Sequence, residues 1–299
     1  MKRYIVLISL LSTFLYSCNN EESLTDATGV FQATEVIVSS ESNGKILAFN
    51  INEGDKIKQS IPIGYVDSTD LVFTKHKLMA NKKVALASLP NVSAQVEATI
   101  QEIEKQEHEK VRITKLLAGD VATQKQMDDI EAGISILKAR LRSQKSMLAN
   151  STNSVYAQVA AIDVQIAQVN DQISRCEIFS PRDGTVLVKY AEQGELTGRG
   201  KPLFKVADVE NMFLKAYVTA SQLTEIKLGQ AVKVFGEFGE SDNRPYDGKI
   251  TWISSKSEFT PKTIQTQDER ANLVYAVKIA VKNDGYLKIG MYGGFKIAN

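Results

Sequence analysis

Few side chains in this sequence are typed and spaced for catalysis. Its two histidines, His76 and His108, stand 32 residues apart, and only two cysteines, Cys18 and Cys176, are present. A metal site or a thiol–imidazole pair needs such groups to converge, usually with two ligands only a few residues from each other. No P-loop, HExxH, CxxC or GxSxG occurs, and Gly194, Gly198 and Gly200 have the spacing of turn residues rather than of GxGxxG. The acidic pairs Asp128-Asp129 and Glu21-Glu22 are adjacent, so on a helix or a tail they would not meet on one substrate bond. An enzyme would have to be assembled from scattered carboxylates, and nothing motivates one. The reading is a non-enzymatic chain with no cofactor and no metal.

Cys18 has a chemistry of its own. Lys2 and Arg3 precede an apolar run from Tyr4 to Tyr16, too short to span a bilayer comfortably and laid out like a signal peptide. Leu15 at minus three, Ser17 at minus one and the cysteine at plus one resemble a lipobox, with Tyr16 at minus two a departure from it. Simple secretory cleavage near Ser17 is the plainer alternative. An acylated Cys18 leaves Cys176 without an intramolecular partner, and Cys176 is expected to be a buried structural thiol.

The 36 basic and 35 acidic side chains leave a formal charge of +1, which offers nucleic acid no basic patch. A hydrophobic share of 43% sets aside both a polytopic membrane protein and a wholly disordered chain. Between residues 72 and 174 the aromatics are Phe73 and Tyr156, the glycines Gly119 and Gly133, and the one proline Pro90. Such a stretch lacks both the material for a compact core and the breakers of a loop-rich fold. It reads as long helix.

A repeat flanks that stretch. GKILAFNINEGDKIKQSIPIGYV at 44–66 and GTVLVKYAEQGELTGRGKPLFKV at 184–206 align without a gap at an offset of 140. Gly44 matches Gly184, Leu47 matches Leu187, Gly54 matches Gly194, Pro62 matches Pro202 and Val66 matches Val206. Short apolar alternations bounded by Gly and Pro are strand chemistry. Two β half-motifs are thus predicted to form one small unit.

The intervening residues predict helices paused at Leu89-Pro90-Asn91 and again at Asn150–Asn153, with a turn at Gly119-Asp120 between them. In an antiparallel hairpin the two pauses would lie side by side as a hinge level. Val155, Val159, Ile162, Ile166, Val169 and Ile173 follow heptad spacing, as do Ile130, Ile134, Leu137 and Leu141. Arms of about 45 residues make a rod roughly 65–70 Å long. The charged segment 101–110 reads as a solvated face with pairs such as Glu107 and Lys110. Beyond Asp208 the period returns to two, in Met212–Val218, Val232-Val234, Ile250-Trp252, Leu273–Val281 and Phe295-Ile297, as for a small antiparallel barrel.

Two β halves around an α-hairpin, a following β-barrel and a leading lipoprotein signal resemble the periplasmic adaptor proteins, the membrane fusion proteins of the hemolysin D family. Ile178–Val186 looks like the family's aPxdGxV motif, and Gly54-Asp55 like its eGd turn. The resemblance implies an elongated α+β chain with a split lipoyl/biotinyl-like β-domain, an inserted coiled-coil hairpin and a small antiparallel barrel. Its division would be a signal peptide over 1–17, a lipid-anchored linker over 18–29, and the first lipoyl-like half with a preceding strand over 30–70. The hairpin then covers 71–175, the second half 176–208 and the barrel 209–299.

Within RITKLLAGDVATQKQMDDIEAG, Arg112-x3-Leu116-x6-Thr123 is similar to the family's tip signature, with Thr123 standing where the family has Ser. By that resemblance Arg112, Leu116, Gly119, Asp120 and Thr123 form the contact with a TolC-type outer-membrane channel. Arg brings five donors, Leu an apolar knob and Thr a local hydrogen-bonding group. The structural alternative makes Leu116 hairpin core and Thr123 an N-cap closed by Gln126.

A lipoyl or biotin carrier would display a modified lysine where this chain inserts its hairpin, and Lys45 and Lys56 do not replace that display. Residues 258–278 resemble the barrels of adaptors that serve ABC-type exporters. The implied function is an adaptor lipid-anchored in the periplasm of a Gram-negative envelope, on the inner membrane. It would form a homo-oligomeric ring and link an ABC-type inner-membrane transporter to the channel. The alternatives are an adaptor for a resistance-nodulation-division or other secondary pump, and an envelope-anchored coiled-coil scaffold.

Overall fold

The structure, a computed structural model, describes residues 25–238, 243–259 and 273–297. Cys18 and the signal segment lie outside the described residues, as does 260–272 of the barrel stretch read from the sequence. Strands β1 (Ala27–Gln32) and β2 (Glu35–Ser39) lead into the first repeat copy, β3 (Gly44–Phe49), β4 (Lys56–Ile57) and β5 (Pro62–Val66). Helices α1 (Thr69–Ala87), α2 (Val92–Ala118) and α3 (Gln124–Ser174) follow. After β6 (Glu177–Phe179) comes the second copy, β7 (Gly184–Lys189), β8 (Leu196–Thr197) and β9 (Pro202–Ala207). The chain continues through β10 (Asn211–Thr219), α4 (Ala220–Leu223), β11 (Ala231–Glu237), β12 (Asn243–Phe259), β13 (Leu273–Lys282) and β14 (Tyr292–Lys296).

The repeat is realised strand for strand. Two four-stranded sheets, β2-β9-β7-β4 and β6-β5-β3-β8, enclose a core of Ile46, Val66, Val186, Leu203, Phe204 and Val206. A shift of 140 residues turns one sheet into the other. Each copy lends its short middle strand across: Ile57 pairs with Gly184 and, equivalently, Thr197 with Gly44. Neither half therefore completes a sheet alone. The symmetry also runs past the repeat seen in the sequence, since β6 lies on β5 as β2 lies on β9, with Phe179 opposite Pro62 and Ser39 opposite Pro202. Just beyond those strands, Ser40 and Ser180 are both buried. Each hydroxyl donates to the carbonyl two residues on, at 2.8 Å to Ser42 and 2.5 Å to Arg182. Only the serine is shared there, so the equivalence is one of backbone shape. Cys176 is buried in this core at 3% exposure, its thiol 3.4 Å from the Gln172 carbonyl.

The barrel closes in the order β1-β10-β13-β12-β11-β14, with Ala27 of β1 opposite Phe295 of β14. This corrects the division drawn from the sequence, because residue 30 falls inside a barrel strand rather than at the start of the lipoyl-like domain. Ala27, Gly29 and Phe31 alternate inward, and Gly29 is needed because a Cβ there would collide with the Lys215 carbonyl of β10. The Leu273–Val281 alternation also breaks, since Ala276 and Val277 are both buried while Leu273 is 41% exposed. The cause is a register shift of β12 between Ile253 and Ser257. Arg182 fastens the barrel to the lipoyl-like domain, reaching the Thr34 carbonyl at 3.4 Å and Asp208 at 3.3 Å.

In the hairpin, α1 and α2 together run antiparallel to α3. Pro90 lies in the break between α1 and α2, and Asn91 caps α2 by accepting from the Ala94 N–H at 3.2 Å. The second predicted break does not exist: Asn150–Asn153 lies inside α3, which runs unbroken for 51 residues, or roughly 75 Å. Asn, Ser and Thr are weak helix formers but keep the N–H that Pro lacks, so packing against the facing arm overrides them. The hinge level is one-sided. The inward series of α3 steps by threes and fours except for two successive fours, Gln144 to Leu148 to Thr152, and this stutter lies near the level of the α1–α2 break. Glu107 and Lys110 do not pair with each other. Glu107 bridges to Lys138 and Lys110 to Glu131, each at 2.7 Å across the arms, as Lys82 bridges to Asp163 at 2.6 Å.

Candidate functional site at the hairpin tip

The tip is built from two helix ends. Helix α2 stops in a Schellman motif, in which the Val121 N–H donates to the Leu116 carbonyl at 2.9 Å and the Asp120 N–H to Leu117 at 3.1 Å. The left-handed position of that motif is Asp120, with φ of 60°, and not Gly119, whose φ is −101°. Asp tolerates this conformation better than most residues, at some cost relative to glycine. A Cβ on Gly119 would meet nothing closer than 3.7 Å, so that position is open to substitution.

Helix α3 begins in a complete capping box: the Gln126 N–H donates to Thr123 Oγ1 at 3.3 Å, and the Thr123 N–H donates to Gln126 Oε1 at 2.8 Å. The cap expected at Thr123 is thus present, and the residue is exposed. Leu116 is not hairpin core. Ile113 and Leu117 turn inward towards Met127, while Arg112 and Leu116, also four residues apart, share the outer face. The Arg112 side chain is 69% exposed. Its Nε donates to Glu109 at 3.1 Å, and that hydrogen bond, with the carboxylate's charge, raises a pKa already high. Arg112 is a fixed cation on the surface.

All five residues predicted from the sequence are exposed at one end of the rod, with Arg112 about two helical turns below the turn itself. Sequence reasoning missed Val121, which is 75% exposed beside the cap. Val121 follows the left-handed residue of the Schellman motif, a position where an apolar side chain is common, and its place beside Asp120 in the tip sequence was the available signal. Together the tip presents a cation, two apolar knobs and a rigidly capped turn. That set suits docking on another protein surface and has no group placed for bond making or breaking.

No family model matches the chain. A UPF0194 membrane protein of Yersinia enterocolitica is 25% identical over 312 residues, covering 96% of this chain and 94% of that protein. Among solved structures, MacA from Actinobacillus actinomycetemcomitans superposes with a TM-score of 0.54 at 22% identity, over 91% of this chain and 78% of that one. A MacA–MexA chimera carrying the Pseudomonas aeruginosa MexA α-hairpin gives 0.51 at 21% identity, over 91% and 80%. Over about nine-tenths of its length the chain therefore shares the fold of MacA and of the MacA–MexA chimera, an elongated α+β arrangement of barrel, split β-domain and long helical hairpin.

Proposed function

We propose that this chain is a lipid-anchored periplasmic adaptor that links an inner-membrane exporter, of ABC type, to a TolC-type outer-membrane channel for efflux or secretion. It works without catalysis, as one copy in a homo-oligomeric ring, and the transporter supplies the energy. Cys18 carries the acyl anchor, and Arg112, Leu116, Gly119, Asp120 and Thr123, joined by Val121, form the channel contact. The observation that carries this reading is the orientation of the tip. The chain spends its buried apolar side chains, Ile113 and Met127, on holding the arms together, and leaves Arg112 and Leu116 side by side outside.

The test is in-cell crosslinking from a photo-reactive residue at Gly119, run with and without Arg112→Asp. Capture of an outer-membrane channel is expected, falling at least tenfold in the Arg112→Asp chain while its melting temperature is unchanged. Capture of soluble partners only, with export intact, would favour the coiled-coil scaffold instead.

A further inference from the structure

A groove of about 540 Å³ lies between the lipoyl-like domain and the barrel, within the roughly 300–1,000 Å³ of small-molecule sites. Its floor is apolar. Val186 and Leu287 are each 1% exposed, and Leu187 and Val209 pack against the barrel core beside them. Ile289, 36% exposed, adds to this lining. The barrel-side wall is held by Asn283, whose amide donates to the Val209 and Leu287 carbonyls at 2.8 and 3.0 Å and accepts from the Gly285 and Leu287 N–H groups. The groove is therefore pre-formed.

The charges around it are unevenly matched. Of its two carboxylates, Glu210 is taken by Lys56 at 2.6 Å, and Asp284 accepts from the Tyr246 hydroxyl and the Tyr286 N–H, each at 3.1 Å. Lys288 donates to the Gly285 carbonyl at 2.8 Å, and neither it nor Lys282 has an ion pair among the described residues. Two ammonium groups thus stand without a paired carboxylate beside an apolar floor.

We infer that this groove binds a small, free amphipathic anion of the fatty-carboxylate kind, its tail against Leu187, Leu287 and Ile289 and its head at Lys282 and Lys288. Charge complementarity selects the sign of the head, and burial of the tail supplies the affinity. The ligand is a soluble anion rather than a bilayer lipid. Lys282 stands opposite Asn211 at one end of the β10–β13 pair, whereas β1 leads back towards Cys18 from the other end, where Gly29 lies opposite Ala216. That choice of source rests on the anchor of the proposed function; the site itself does not. Seated between the two domains, the ligand would reinforce the Arg182 clamp and stiffen the joint.

The experiment irradiates the full chain, held in phosphatidylcholine nanodiscs, with dodecanoate carrying a diazirine in its tail, and maps the adducts by mass spectrometry. Labelling of the peptides that hold Leu187 and Ile289 is expected, and plain dodecanoate should compete it away. It should fall at least tenfold in Lys282→Glu/Lys288→Glu and likewise in Ile289→Asp, exposed positions at which the melting temperature should not change. Adducts elsewhere only, equal labelling by the uncharged dodecanol analogue, or labelling indifferent to either variant would each overturn the inference. Labelling of the groove by a photo-reactive phosphatidylglycerol in the bilayer would overturn it too. If the groove is labelled and Gly119 captures no channel, the adaptor reading falls alone. If Gly119 captures the channel and the groove stays unlabelled, this inference falls alone.

Discussion

The barrel and the hairpin solve the same problem with opposite means. In the barrel, Phe31, Leu214, Val234, Ile250, Ile279 and Phe295 lose all contact with solvent. Along the hairpin the most buried apolar residue, Val96, still keeps 4%, and Val155, Val159 and Val169 keep 8–9%. A closed sheet surrounds its core, whereas two helical arms share a seam open along both edges. The barrel therefore carries its stability within itself. The hairpin relies on a repeating stripe and on exposed cross-arm ion pairs, which solvent and salt screen heavily. It is the part of the chain with most to gain from neighbours.

The largest expected effect tests the barrel side of that contrast. Phe295→Ala should cost about 3–5 kcal/mol, a large share of the roughly 5–15 kcal/mol that holds a typical domain together. Loss of the cooperative β transition in circular dichroism would register it, and a chain that melts normally would show the barrel core to be less critical than its burial. Val159→Ala, in the seam, should cost only about 1–2 kcal/mol. Faster hydrogen exchange confined to α1 and α3, with barrel amides unaffected, is the expected signature, and uniform loss of protection would mean that the two regions unfold together.

The joint between barrel and lipoyl-like domain should respond to acid. Burial pushes the Asp208 carboxyl up, but hydrogen bonds from the Asn211 side chain and from the Asn211 and Glu210 N–H groups, with the Arg182 charge, hold it below the usual carboxylate value. A depressed folded-state pKa contributes stability that is present above the unfolded value, about 3.9, and is lost as pH falls through the folded one. Melting curves should therefore weaken below about pH 4 more steeply in the natural chain than in Asp208→Asn. Equal slopes would remove Asp208 from the joint. The smallest effect concerns symmetry itself. Ser60 sits at φ 62° where its counterpart Gly200 has φ 82°. Relieving the left-handed cost while adding glycine's entropy should leave Ser60→Gly stabilised by about 0.5 kcal/mol, measured by urea denaturation.

Much of this architecture is legible in the amino acids because it is local or periodic. The 140-residue offset marks β3–β5 and β7–β9, the heptads mark the α3 seam, and Pro90 marks the break between α1 and α2. What was hidden depends on partners distant in sequence. Ala27–Gln32 alternates like any strand, and only pairing with Phe295 and Ala216 assigns it to the barrel. Asn150–Asn153 reads as a pause until a packed arm lies against it. At the tip, Arg112/Leu116 and Ile113/Leu117 are two pairs with the same spacing, one residue apart, so the sequence names the residues without saying which pair faces out.

The pairing of β1 with β14 has a consequence for the order of folding. The first barrel strand to be made waits some 260 residues for its last neighbour, while the helical arms between them need only contacts within themselves. Closing so distant a pair is slow compared with zipping local helices. The rod and the lipoyl-like sandwich are thus expected to be formed first, and to bring β1 and β14 together, so that the barrel is sealed as the final event rather than the first.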